Sequence, residues 1–136
     1  MRQSYQMSHA DAVRVVEAVR IELERTGKAA AVAVVDAQGE LLAFLRTDGC
    51  LLPSINNAIN KAYTAARQRQ STGAIGESSR TKGWPLTNFG DLRYTGWGGG
   101  VPMIYAEQLV GAVGVSGLSE AEDETLARLG AAAIDA

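Results

Sequence analysis

The chain has 136 residues, 21% of them charged, and a formal net charge of -2, enough length for one domain over 1–136 with a proper core. That charge, with no basic cluster, argues against a nucleic-acid partner, and no apolar run approaches the roughly 18 residues of a membrane span. One histidine, His9, and one cysteine, Cys50, exclude a His/Cys zinc site and an internal disulfide.

The opening segment MRQSYQMSHA has no apolar signal-peptide centre, so a cytoplasmic protein is expected. Ser8 and Asp11 then resemble a capping box, with Asp in place of Glu. Ala12, Val15, Val16, Val19 and Leu23 follow as a helical stripe, and Gly27 is placed to end the helix. AAVAVV and ELLAFL read as two strands joined by the turn DAQG. Both strands are apolar on successive residues, so both of their faces should be covered.

Pro53 and Ser54 mark the start of a second helix, whose narrow apolar face is Ile55, Ala58, Ile59, Ala62 and Ala66. From about Ser71 to Gly100 no period is evident, and a loop of that length is usually functional or part of an interface. VPMIY and LVGAVGVSG form a second hairpin, and Ser119 with Glu122 opens a last helix rich in acids at its positive end. The order is helix, hairpin, helix, long loop, hairpin, helix. Two hairpins with doubly apolar strands imply an α+β domain in which helices cover an antiparallel sheet.

Three consecutive glycines, Gly98, Gly99 and Gly100, stand out beside Trp97. Their amides would form a concave anion site, or their missing side chains would serve a bulge or a tight strand entry. The second helix carries Asn57, Lys61 and Thr64 on one face, with Asn60 close by. Asparagine is a poor helix former, so this polar stripe is either a solvated face or a pocket wall with Lys61 as its cation. Asp36 reads as a turn acid, and Arg46 with Asp48 as a surface pair leaving the second strand. His9, Cys50, the tyrosines and the methionines are the candidate axial ligands for a haem.

Taken together, AVAVVDAQGELLAFLRTDG, NKAYTAAR, GGGVPM and LVGAVGVSGLSEAEDETLA resemble the GlcG/HbpS family, which includes the C-terminal domain of PduO-type corrinoid adenosyltransferases. The resemblance runs from Ser8 to Ala133. It implies a profilin-like fold, an antiparallel β-sheet sandwiched by helices in the order α-β-β-α-loop-β-β-α, and homo-oligomers. It marks Asp36, Arg46, Asp48, Asn60, Lys61, Gly99, Gly100, Pro102, Gly114, Ser116, Gly117 and Asp123 as positions on the family pattern. The aromatic lead-in LRYTGWGGG departs from that pattern.

Some relatives in this family bind haem, one is an extracellular redox-sensing partner, and others are encoded beside glycolate or aromatic-degradation genes. The favoured expectation is a pocket for a small organic acid or aromatic-pathway intermediate, an anionic ligand held by Arg46, Asn57, Asn60, Thr64, Tyr94, Trp97 and the amides of Gly98, Gly99 and Gly100. Were there turnover, Lys61 would be the base or electrophile, with Asp36 or Tyr94 as its proton partner. The alternatives are a haem-binding accessory or sensor using His9 or Cys50 as axial ligand, and an oligomeric scaffold that needs no ligand.

Overall fold

Two helices begin by the same device. In the computed structural model, which describes residues 1–135, α1 (His9–Thr26) starts where Ser8 and Asp11 cap each other reciprocally, and α4 (Glu120–Ala132) where Ser119 and Glu122 do the same. Gly27 closes α1 in the left-handed conformation, and the expected stripe from Ala12 to Leu23 is its buried face. Between these helices run β1 (Ala31–Asp36), β2 (Leu41–Arg46), α2 (Pro53–Gln68), α3 (Thr72–Lys82), β3 (Gly100–Tyr105) and β4 (Gln108–Ser116).

The stretch read as a long loop holds α3 and a 3-10 turn over Leu86–Phe89. Ser71 caps α3, but only Thr72, Ile75 and Gly76 are buried on it, too few to leave an apolar period in the sequence. Gly76 sits in the helix because the chain at Gly96 crosses there. A Cβ on Gly76 would lie 1.9 Å from the Gly96 carbonyl oxygen.

The four strands form one antiparallel sheet in the order β2-β1-β4-β3. Its two faces are built differently. Val32, Val34, Val101, Met103, Val113 and Val115 pack with α1 and α4, while Ala31, Ala33 and Ala112 face the alanines of α2. Small side chains on both sides let α2 settle onto β1, β4 and β3 at backbone distance. Gly114 and Gly100 are required at that contact: a Cβ on the first would lie 2.1 Å from the Ala58 carbonyl oxygen, and on the second 2.4 Å from that of Lys61. Both strand faces are thus covered, as the doubly apolar sequence requires, except along β2, whose residues stay partly exposed.

Gly114→Ala therefore forces α2 off the sheet. The expected loss is about 3 kcal/mol, the upper part of the usual overpacking range, read from urea unfolding at equilibrium against the wild-type chain.

Candidate functional site

Lys61 enters α2 among alanines and is 2% exposed. A charged ammonium so placed needs partners, and the fold supplies them from two other elements. Its Nζ donates to the Val115 carbonyl of β4 at 2.9 Å and to Asp123 Oδ2 of α4 at 3.1 Å. Asp123, also 2% exposed, accepts at its other oxygen from the Leu118 amide at 3.0 Å. Burial pushes the Asp123 carboxyl above its ordinary range, against the pull of Lys61 and of the backbone N–H groups. An ammonium has three donors, and these contacts use two.

Lys61 and Asp123 both line a cavity of about 370 Å³, together with Ser54, Asn57, Trp97, Ser116, Gly117, Leu118 and Glu120. Ser54 comes from the first turn of α2, Ser116 from the end of β4, and Glu120 from the start of α4. Trp97 forms its outer wall and is 56% exposed. The recess collects neutral hydrogen-bonding groups around one buried cation, and the carboxylates of Glu120 and Asp123 offset that cation's charge.

The glycine run is tied down from three sides. The Gly98 amide donates to Glu120 Oε1 at 2.6 Å, the Gly99 carbonyl accepts from the Val115 amide at 2.9 Å, and the Gly100 amide donates to Thr72 Oγ1 at 2.8 Å. Two of the three amides expected to cradle an anion are therefore occupied by side-chain oxygens. Gly99 has a different reason to lack a side chain. Its φ is +125°, and a Cβ there would lie 2.5 Å from the Val115 carbonyl oxygen and 2.9 Å from Lys61 Nζ.

The remaining expected residues scatter. Asp36 accepts from the Gln38 and Glu40 amides, closing the β1–β2 turn. It stands five residues along β1 from Ala31, which pairs with Ser116 beside the recess, and so about 17 Å from that level. It is no partner for Lys61; Asp123 holds that place. Arg46 shares the Ser116 row, but with Ala31 between them, a separation of about 10 Å.

Thr64 turns away from Lys61: it donates to the Asn60 carbonyl and accepts from the Thr95 amide. Tyr94 accepts from Gln68 and stacks against Tyr63 and Phe89. Both position the lead-in to Trp97 rather than line the recess. His9 is exposed at the start of α1, while Cys50 packs partly against the α2 layer on the other side of the sheet.

The lead-in is held by Tyr63, whose hydroxyl donates to Asp91 and accepts from Arg93 while the Arg93 guanidinium lies 3.9 Å over its ring. Hydrogen bonds from Arg93 and then from Tyr63 hold the Asp91 carboxyl well below the carboxylate range. Burial, and then the bond to Asp91, raise the Tyr63 phenol.

From the sequence alone Glu120 and Asp123 read as acids at the positive end of the last helix and Ser54 as a helix start, and the resemblance marks Asp123 only as a pattern position. One signal for Asp123 was available. It shares the buried stripe of α4 with Leu126, Ala127 and Gly130, and a carboxylate in such a stripe asks for a buried cation.

An α+β sandwich of helices over one antiparallel sheet, with a polar recess at the end of that sheet, is a profilin-like fold. The chain belongs to the HbpS-like family, described as haem degrading protein HbpS-like, whose pattern it matches over residues 7–132. It is 34% identical over 122 residues to a 15.0 kDa Citrobacter freundii protein of the dhaT-dhaS intergenic region, covering 87% of this chain and 84% of that one. The Klebsiella pneumoniae protein ORFY superposes with a TM-score of 0.91 at 31% identity, over 99% of this chain and 95% of that one. PduOC, crystallised as a haem complex, superposes with a TM-score of 0.86 at 25% identity, over 95% of each. Among the described residues no helix is long and apolar enough to cross a membrane, and no cluster of three or more His, Cys, Asp or Glu could hold a metal.

Lys61→Met leaves Asp123 buried without its cation and is expected to cost about 3–5 kcal/mol. Adding Asp123→Asn, which keeps an acceptor for the Leu118 amide, should recover most of that loss in a double-mutant cycle of chemical unfolding.

Tyr63 has its folded-state pKa above its unfolded value near 10. Its contribution is therefore full below the unfolded value and is lost as pH rises through the folded one. Melting temperatures followed from about pH 9 to about pH 11.5 should fall less steeply in Tyr63→Phe than in wild type.

Proposed function

We propose that the protein binds a small organic molecule bearing hydroxyl and carboxylate oxygens, of the hydroxy-acid class, in the recess between α2, Trp97 and the start of α4. The carrying observation is the buried Lys61, which donates to the Val115 carbonyl and to Asp123 and lines the recess together with Asp123. Ser54, Asn57 and Ser116 add neutral donors and acceptors for hydroxyl groups. Glu120 at the rim limits the net charge the site welcomes, so a monoanion fits better than a dianion. The bond to Asp123 holds the Lys61 side chain in place, and Trp97 shields the ligand from water on one side.

A second reading, haem, is favoured by the description of the family and by the haem complex of PduOC. When bound, haem would supply redox chemistry at iron. The recess itself fits it poorly. The recess presents no His, Cys, Met or Tyr side chain. Suitable side-chain types do line a separate cavity of about 220 Å³, through Tyr5, Met7 and Tyr105, and a neighbouring one of about 750 Å³ that shares Tyr5 and Met7 and is of ligand-pocket size. His9 is exposed and lines neither of them.

The test is a thermal-shift screen of 2-hydroxy acids with aliphatic and aromatic side groups, followed by calorimetric titration of any hit. Saturable binding that weakens about tenfold in Asn57→Ala or Ser116→Ala, the scale of one lost hydrogen bond, is the expected result. Neither variant touches the ion pair. A hit that both variants bind unchanged sinks the recess as the site. No hit, together with a stoichiometric hemin spectrum that collapses in His9→Ala or Cys50→Ala, replaces this reading with the haem one.

A further inference from the structure

At the end of the sheet away from the recess lies a larger cavity, of about 750 Å³. Asp36 marks its level: it pairs with Gly111, while the recess stands at Ser116, opposite Ala31. One wall is the chain before α1, and that segment is fixed in place. Met7 is buried, the Tyr5 amide donates to Gln108 Oε1 at 3.0 Å, and the Tyr5 and Tyr105 rings meet edge to face with centroids 5.0 Å apart. The other walls come from the β1–β2 turn, the β3–β4 turn and the end of α2. Met7, Leu42, Leu109 and Val110 supply an apolar part of the lining, and most of the rest is polar.

Two features set this cavity apart. Two guanidinium residues, Arg2 and Arg69, and two carboxylate residues, Asp36 and Glu107, line it, yet none of the four is in an ion pair among the described residues. On α1, by contrast, Arg14, Arg20 and Arg25 each hold an acid. Opposite charges gathered around one space without closing on each other leave room for a molecule that satisfies both. The second feature is backbone strain. Among the described residues, three that are not glycine have left-handed backbone: Arg69 (φ 57°), Ala106 (φ 49°) and Glu107 (φ 64°). α2 ends on Arg69, where glycine is the usual residue. Ala106 and Glu107 form a two-residue hairpin turn, where Asn-Gly is the usual pair. Left-handed backbone is costly for a residue with a Cβ, and such residues collect at ligand clamps. Here two of the three are charged and line the same cavity.

We propose that this cavity is a binding site for a neutral polyhydroxylated molecule, a sugar of one or two rings. The charges balance, so an anion is opposed by Asp36 and Glu107 and a cation by Arg2 and Arg69. A hydroxyl group carries one donor and two lone pairs, and can donate to a carboxylate while accepting from a guanidinium. The primary amides of Gln3, Gln6, Gln38 and Gln108 extend the same two-sided chemistry. The apolar side chains take the C–H face of a ring, and the volume falls within the roughly 300–1,000 Å³ of ligand pockets. The site shares no residue with the Lys61 recess and does not rest on what that recess binds.

Saturation-transfer NMR with glucose, xylose, cellobiose and maltose as probes, followed by calorimetric titration, provides the test. At least one of them should bind saturably, with an affinity indifferent to salt because the ligand carries no charge. Arg69→Gly and Glu107→Gly each remove a charge and relieve the left-handed backbone in the same step. Each variant should melt no lower than wild type and yet bind about tenfold or more weakly, the scale of a lost hydrogen bond to a charged group. A merely structural role for the two residues would not separate those two readouts. Ser116→Ala, in the other recess, should leave sugar binding unchanged. No saturable binding by any of the four sugars, a hit that both glycine variants bind unchanged, or a hit lost in Ser116→Ala would each overturn the proposal.

Discussion

Helix α2 meets the sheet through main-chain atoms, and much else in the molecule follows from that approach. Only hydrogen fits at Gly100 and Gly114, where the Lys61 and Ala58 carbonyl oxygens press on the strands. Alanine is the largest side chain admitted over most of the contact. So tight a seam leaves no route for a long side chain to reach solvent, and Lys61 is therefore sealed in. Its ammonium has to be satisfied by what stands at the end of the sheet: the last carbonyls of β4 and the buried acid of α4. One packing decision thus fixes where the charge is, what neutralises it, and which face of it remains open.

That arrangement is costly in stability. Two ionised groups taken out of water recover their solvation only through good geometry, and a buried pair is often no better than two apolar side chains of the same size. The raised Asp123 carboxyl points the same way: burial outweighs the attraction of Lys61. The same pair lines the polar recess at the end of the sheet. The triple glycine serves the same centre from the other side. Gly99 leaves space for the ammonium, while Glu120 and Thr72 pin its neighbours and make the loop a rigid wall.

A second cluster, around Tyr63, governs the loop before that wall. Asp91 and Arg93 bond its hydroxyl and Tyr94 packs edge-on against its ring, while Thr64 next to it accepts from the Thr95 amide. Thr64 and Tyr94 act on the recess at a distance, by setting where Trp97 stands. The sheet's outer strand lies beyond both clusters. β2 packs on α1 on one face, sends Phe44 into the α2-side cluster on the other, and stays partly exposed along its length.

Local signals carried the frame. Serine caps with acids three residues on, a glycine in left-handed backbone and apolar stripes at helical spacing depend on neighbours in sequence, so α1, α4 and both hairpins were readable before any coordinates. α3 was not, because its helix turns on a cap and three buried residues, with Gly76 answering to a crossing at Gly96. Lys61 was legible as a cation in a polar stripe. Its partner was not, since Asp123 lies 62 positions further along the chain and sequence spacing says nothing about contacts of that range. Asp36 and Arg46 failed to join Lys61 for the same reason: which end of a strand, and which row across a sheet, depends on strand pairing. The sequence by itself determined α1, α2, α4 and the two hairpins, their order, and the residue types able to do chemistry. Only the tertiary structure decided which of them share a site, because burial and long-range pairing are properties of the packed chain and not of any segment within it.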